Sequence, residues 1–92
     1  MGRGLNVYKI AVYVTPKHGV VDPQGAVIER ALPALGHSGV GNIRVGRYIT
    51  LEMDAADEKI LEAEVDSMCR QLLANPIIED YRFEITRAGE GA

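Results

Sequence analysis

The sequence predicts an α+β two-layer sandwich, a small and mostly antiparallel sheet with two helices on one face. The element order is strand-helix-strand-helix-strand, and the long middle strand is open to splitting in two. Three observations predict it. Period-two apolar runs occur near both ends and in the middle, stretches with apolar spacings of three and four lie between them, and 92 residues suffice for only one core. The whole chain, residues 1–92, therefore reads as a single domain with an ordered core over about 5–86.

The first strand is "VYKIAVYVT", Val7 to Thr15, rich in β-branched and aromatic residues and stopped by Pro16. Tyr8, Ile10, Val12 and Val14 share one face; Val7, Ala11 and Tyr13 sit on the other beside Lys9 and Thr15. A strand apolar on both sides is predicted to be central. Helix one follows over Pro23 to Leu35, with Asp22 at the N-cap, Pro23 in the first turn and a stripe of Val27, Ile28, Ala31, Leu32 and Leu35. Pro33 interrupts that pattern, and Gly36 begins a glycine-rich stop.

From Ile43 to Met53 apolar and polar residues alternate, with Gly46 and Arg47 breaking the run, which reads as one bent strand or two short ones. Helix two is predicted over Asp57 to Ala74, with Leu61, Val65, Met68 and Leu72 on its inner face and Asn75 and Pro76 as its stop. "IIEDYRFEIT" closes the sheet, and "RAGEGA" is expected to be a frayed tail. Two helices cover only one side of such a sheet, so the second side of the first strand is expected to meet another copy of the chain.

A net charge of −3 argues against a surface built for the phosphates of nucleic acid. No apolar run approaches the roughly 20 residues that span a bilayer, and "MGRGLN" lacks the apolar stretch of a signal peptide. A single cysteine fits a reducing compartment, and the expected location is the cytoplasm.

Catalytic or metal chemistry finds little purchase. Cys69, the one thiol, lies mid-helix next to the apolar stripe, the position of a core residue rather than of a nucleophile on a strained turn. His18 and His37 stand in separate loops without metal-ligand spacing. "GNIRVGRY" half-matches a phosphate loop, but Arg47 and Tyr48 occupy the lysine and hydroxyl positions, in a strand context. Glu58, Glu62, Glu64 and Asp66 read as a solvated helix face. The strongest local signal is "GVVDPQG". Asp22 and Pro23 are explained as a helix start, whereas Gly25 in the first turn is costly in a helix and points to a close backbone approach, expected to be by a partner subunit.

Three stretches, "GVVDPQG", "NIRVGRYITLEM" and "CRQLLANPIIEDYRFEI", resemble in order and spacing the signature segments of the PurS family. The likeness runs from about Tyr8 to Ile85. PurS is the small subunit of phosphoribosylformylglycinamidine (FGAM) synthase, which makes FGAM from its formylglycinamide precursor with ATP and glutamine, the fourth step of purine biosynthesis. The resemblance implies a non-catalytic accessory subunit of a ligase complex that bridges a large synthetase subunit and a glutaminase subunit and supports ammonia transfer between them. It implies a homodimer or homotetramer, no cofactor on this subunit, and ATP, magnesium and glutamine used by the partners. No catalytic residues carry over. The matched residues Asp22, Pro23, Gln24, Gly25, Gly46, Arg47, Tyr48, Asn75 and Pro76 are the expected contact and framework set. Pro33 and His18 depart from the family pattern at and before helix one.

The alternative is an amino-acid-binding module of the ACT type, which "VVDPQGAV" also resembles but which needs four strands. A tautomerase with an N-terminal proline base fails because Gly2 follows Met1.

Overall fold

The computed structural model describes residues 6–88. The first five residues and most of the tail expected to fray, residues 89–92, lie outside that range. Strand β1 spans Asn6–Pro16, helix α1 Pro23–Ala34, strand β2 Arg47–Ala55, helix α2 Glu58–Met68 and strand β3 Glu79–Arg87. The three strands form one antiparallel sheet in the order β2-β1-β3, so the first strand is central as its two apolar faces require. This is the α+β arrangement in the expected order, with three strands among the described residues where an ACT-type module needs four.

The core follows the register. Ile10 pairs with Leu51 and Ile85, and Val12 with Ile49 and Phe83, so one face collects the apolar residues of all three strands. Tyr8, Ile10, Val12 and Val14 are buried there against Leu61, Val65 and Cys69, while the outer-strand residues Ile49, Leu51, Met53, Tyr81, Phe83 and Ile85 are only half-buried. A single helix about 10 Å wide does not cover three strands spaced about 4.8 Å apart, and the partial burial of both outer strands reflects that.

Two expectations need correction. The first concerns helix two, which changes its winding: Cys69–Leu73 is a π-helical turn, closed by a hydrogen bond from Ala74 N to Cys69 O at 2.9 Å. The wider turn replaces the 61-65-68-72 stripe with Leu61, Val65, Cys69 and Leu73, and Leu72 swings out to 82% exposure. Cys69 is fully buried, the core position its sequence neighbours indicated, and burial pushes its thiol pKa up.

The second concerns helix one, which does not join α2 on the sheet. It forms as the sequence indicates, with Asp22 at the N-cap and an end at Ala34 where His37 N bonds Leu32 O and Gly36 N bonds Pro33 O, a Schellman closure. Yet α1 makes no extensive contact with sheet or α2, and Gly25 is its only buried residue. Residues 17–46 form an arm that leaves β1 at Pro16 and rejoins the sheet at Arg47, opposite Val14. The segment from Ile43 to Gly46 belongs to that arm, so the middle run contains one strand and not two.

Candidate contact surface at the base of the arm

Most of the residues singled out in the sequence converge where the arm meets the sheet. Asp22 does more than cap α1. One carboxylate oxygen accepts from Gly25 N at 3.1 Å, and the other accepts from Val45 N at 2.8 Å, tying the start of the arm to its return. These amides, Val45 first and Gly25 next, hold the Asp22 carboxyl below the usual carboxylate range.

Gly25 is required for a reason internal to the chain. A Cβ there would stand 2.5 Å from Ile43 O and 2.8 Å from Asp22 Oδ2, so the close approach is made by the arm's own returning backbone. The expected partner subunit is not needed to explain it, and Gly25 is buried while Pro23 and Gln24 beside it are exposed. Gly46 is constrained in the same way, because a Cβ would collide with the carbonyl oxygen of Val14.

Arg47 begins β2 and organises the other side of the cleft. Its guanidinium donates to both carboxylate oxygens of Glu79 at 3.0 Å and to Leu73 O at 2.7 Å. Glu79 Oε1 also accepts from Asn75 N at 2.7 Å. One ion pair thus fastens the start of β2, the end of the π turn and the start of β3. Arg47 and then Asn75 N hold the Glu79 carboxyl below its ordinary range. Sequence reading placed Arg47 and Asn75 in the set and left Glu79 out of it. The spacing Asn75-to-Glu79 across a helix stop was the available signal.

Asp22, Pro23, Gln24, Gly46, Arg47 and Glu79 border one open cleft of about 200 Å³. Tyr48 lies apart from it, on the opposite face of the sheet, with its ring 5.2 Å from that of Tyr13. Arg82 stacks over the Tyr13 ring at 4.0 Å. Pro76 is exposed beyond the helix stop, where Asn75 Oδ1 accepts from Ile77 N. The set is therefore two features: a polar cleft at the arm's base and an aromatic-cationic patch on the sheet face that α2 leaves open. His18 borders a separate depression with Lys17, Glu29 and Arg44. The hydrogen bonds at the cleft run between groups that fasten backbone segments together.

The chain resembles known proteins in both sequence and fold. A family model described as PurS, phosphoribosylformylglycinamidine (FGAM) synthase, matches residues 9–87. The PurS subunit of phosphoribosylformylglycinamidine synthase from Synechocystis sp. is 47% identical over 85 residues, covering 92% of this chain and 84% of that protein. The crystal structure of Bacillus subtilis PurS superposes with a TM-score of 0.76 at 42% identity, over 85% of this chain and 96% of that one. A chain in the structure of PurLQS from Thermotoga maritima gives a TM-score of 0.77 at 33% identity, over 86% of this chain and 96% of that one. With the family model spanning both the arm and the sheet, the chain belongs to the PurS family of phosphoribosylformylglycinamidine synthase subunits.

Proposed function

We propose that the chain is the non-catalytic adaptor of a glutamine-dependent FGAM synthase, joining a large synthetase subunit to a glutaminase subunit so that ammonia passes between them without escaping to water. The observation that carries the reading is the match over residues 9–87, both features of the contact surface included. Its likeness to a chain of PurLQS supports work inside an assembly. In this reading ATP, magnesium and glutamine are handled by the partners, the chain binds no cofactor, and the complex operates in the cytoplasm. The chain self-associates as a dimer or tetramer, in keeping with an apolar arm and half-covered outer strands. Of the exposed members of the set, Pro23, Gln24, Arg47, Tyr48 and Pro76 are the proposed partner contacts, while Gly46 and Asn75 hold the frame together with half-buried Asp22 and buried Gly25.

The test is the rate of FGAM formation by the synthetase and glutaminase of the same source, with and without this chain, with glutamine or ammonium as nitrogen donor. The adaptor role requires that glutamine-dependent synthesis fall at least tenfold without the chain while ammonium-dependent synthesis is retained. Equal glutamine-dependent rates with and without it would refute the role.

A further inference from the structure

The stop between α2 and β3 presents large apolar side chains to solvent. Leu72 is 82% and Ile77 83% exposed, on either side of Asn75 and exposed Pro76. Leu72 stands there because of the π turn: a regular helix would lay it on the sheet, and the wider turn sends Leu73 inward in its place. The stretch is also held in one shape by its own hydrogen bonds. Asn75 O accepts from Ile78 N at 3.1 Å and from Glu79 N at 2.7 Å, and Asn75 Oδ1 accepts from Ile77 N at 3.1 Å. Arg47 bound to Leu73 O and Glu79 bound to Asn75 N fasten it to the ends of β2 and β3.

Two guanidiniums accompany this knuckle. Arg47 and Arg70 each belong to an ion pair whose cation is the more exposed member, 51% against 18% for Arg47 and Glu79, and in the same sense for Arg70 and Asp66. The charge these pairs turn outward is therefore positive, on a chain whose net charge is −3. Arg47 donates three hydrogen bonds, to Glu79 and Leu73 O, and a guanidinium has five N–H donors, so it retains capacity for a carboxylate brought from outside.

We propose that this knuckle, Leu72, Pro76 and Ile77 accompanied by Arg47 and Arg70, docks into an apolar socket edged by carboxylates on another subunit of the FGAM synthase assembly, one that is not a second copy of the chain. The inference rests on the adaptor reading above and gives it a surface. A tip already fixed in shape loses little loop freedom on docking, and arginine at the edge of an apolar contact is a frequent anchor of interfaces. The carboxylates follow from charge complementarity with the two outward guanidiniums. A second copy does not supply such a socket. The apolar groove on the chain's own arm is lined by Pro23, Gln24, Val27, Ile28 and Val45, with no carboxylate among the described residues.

The experiment measures binding of the full chain to the purified glutaminase and, separately, to the purified synthetase subunit of the same source, with glutamine, ATP and magnesium present, and follows the self-association of each variant by sedimentation. Burying one such side chain corresponds to about 10- to 150-fold in affinity. Leu72→Glu and Ile77→Glu are therefore each expected to weaken binding to the same one of the two subunits at least tenfold, with self-association and circular dichroism unchanged. Ile60→Glu, at an exposed apolar position in the first turn of α2, is expected to change it less than twofold. Leu72→Lys is expected to lose at least threefold less than Leu72→Glu, because it brings the charge that the socket's edge attracts. Binding to both subunits kept within twofold by Leu72→Glu and Ile77→Glu overturns the proposal. So does a loss of self-association in place of subunit binding, which makes a second copy the occupant, and so does a Leu72→Lys loss as large as that of Leu72→Glu. A wild-type chain that binds neither subunit overturns the docking and the adaptor reading together, whereas wild-type binding that survives the substitutions overturns the docking alone.

Discussion

At the scale of single residues, glycine positions separate into those that the fold needs and those that it tolerates. Gly46 stands where the arm returns to the central strand, and its missing side chain leaves room for the Val14 carbonyl, with Val14 C at 3.2 Å and Thr15 Cα at 3.3 Å from where a Cβ would be. These are backbone atoms of a buried strand that cannot move aside. Gly46→Ala is expected to destabilise the protein by about 1–3 kcal/mol, read as a lower urea midpoint at unchanged slope. Gly41 is the internal control: a Cβ there has its nearest neighbour, Glu29 Oε2, at 3.9 Å, so Gly41→Ala should fall within about ±0.5 kcal/mol. Equal effects of the two substitutions would remove the close-approach account. In the sequence Gly46 was visible as a break in an alternating run, but the atom it accommodates was not, because Val14 lies 32 positions earlier.

At the scale of elements, the sequence was most legible where a residue's neighbours along the chain decide its environment. The alternation in β1 identified its buried face, and Asp22-Pro23 identified the start of α1. It was least legible where winding changes. Ordinary helical spacing makes Leu72 a core residue, but the π turn at Cys69–Leu73 turns it outward and brings Leu73 onto the core. The two assignments predict opposite outcomes. If the π turn is right, Leu72→Glu changes stability by no more than about 0.5 kcal/mol, whereas Leu61→Ala, at a fully buried position, costs about 2–5 kcal/mol. Chemical denaturation of the two variants decides it, and a Leu72→Glu loss comparable to that of Leu61→Ala would restore the regular helix.

At the scale of the whole molecule, periodicity revealed that α1 has an apolar face but not which surface covers it, since the stripe of a helix packed on its own sheet and that of a helix reaching outward look alike. The arm's base, the sheet's end and the helix on the sheet are each fastened by a carboxylate. Asp22 binds Val45 N across the arm's base, Glu79 binds Arg47 across the sheet's end, Asp66 accepts from Tyr81 Oη at 2.6 Å, and Asp80 pairs with Lys17. All four are held below their ordinary range, each by the partner just named. The sign of the pH effect follows. The native state keeps these groups ionised to lower pH than the unfolded chain does, so their contribution is complete above the ordinary carboxylate range, about pH 4, and is lost as pH falls through their depressed native values. The urea midpoint should therefore be flat between neutral pH and about 5 and drop steeply below about 4. Asp22→Asn retains an acceptor for Gly25 N while removing the charge that Val45 N and Gly25 N stabilise, so it should lower the midpoint at pH 7 and narrow the difference between pH 7 and pH 3. Were the Asp22→Asn profile parallel to that of wild type across the whole range, the arm's attachment would not depend on the ionised carboxylate, and the Val45 and Gly25 hydrogen bonds would be a consequence of the arm's position, not its cause.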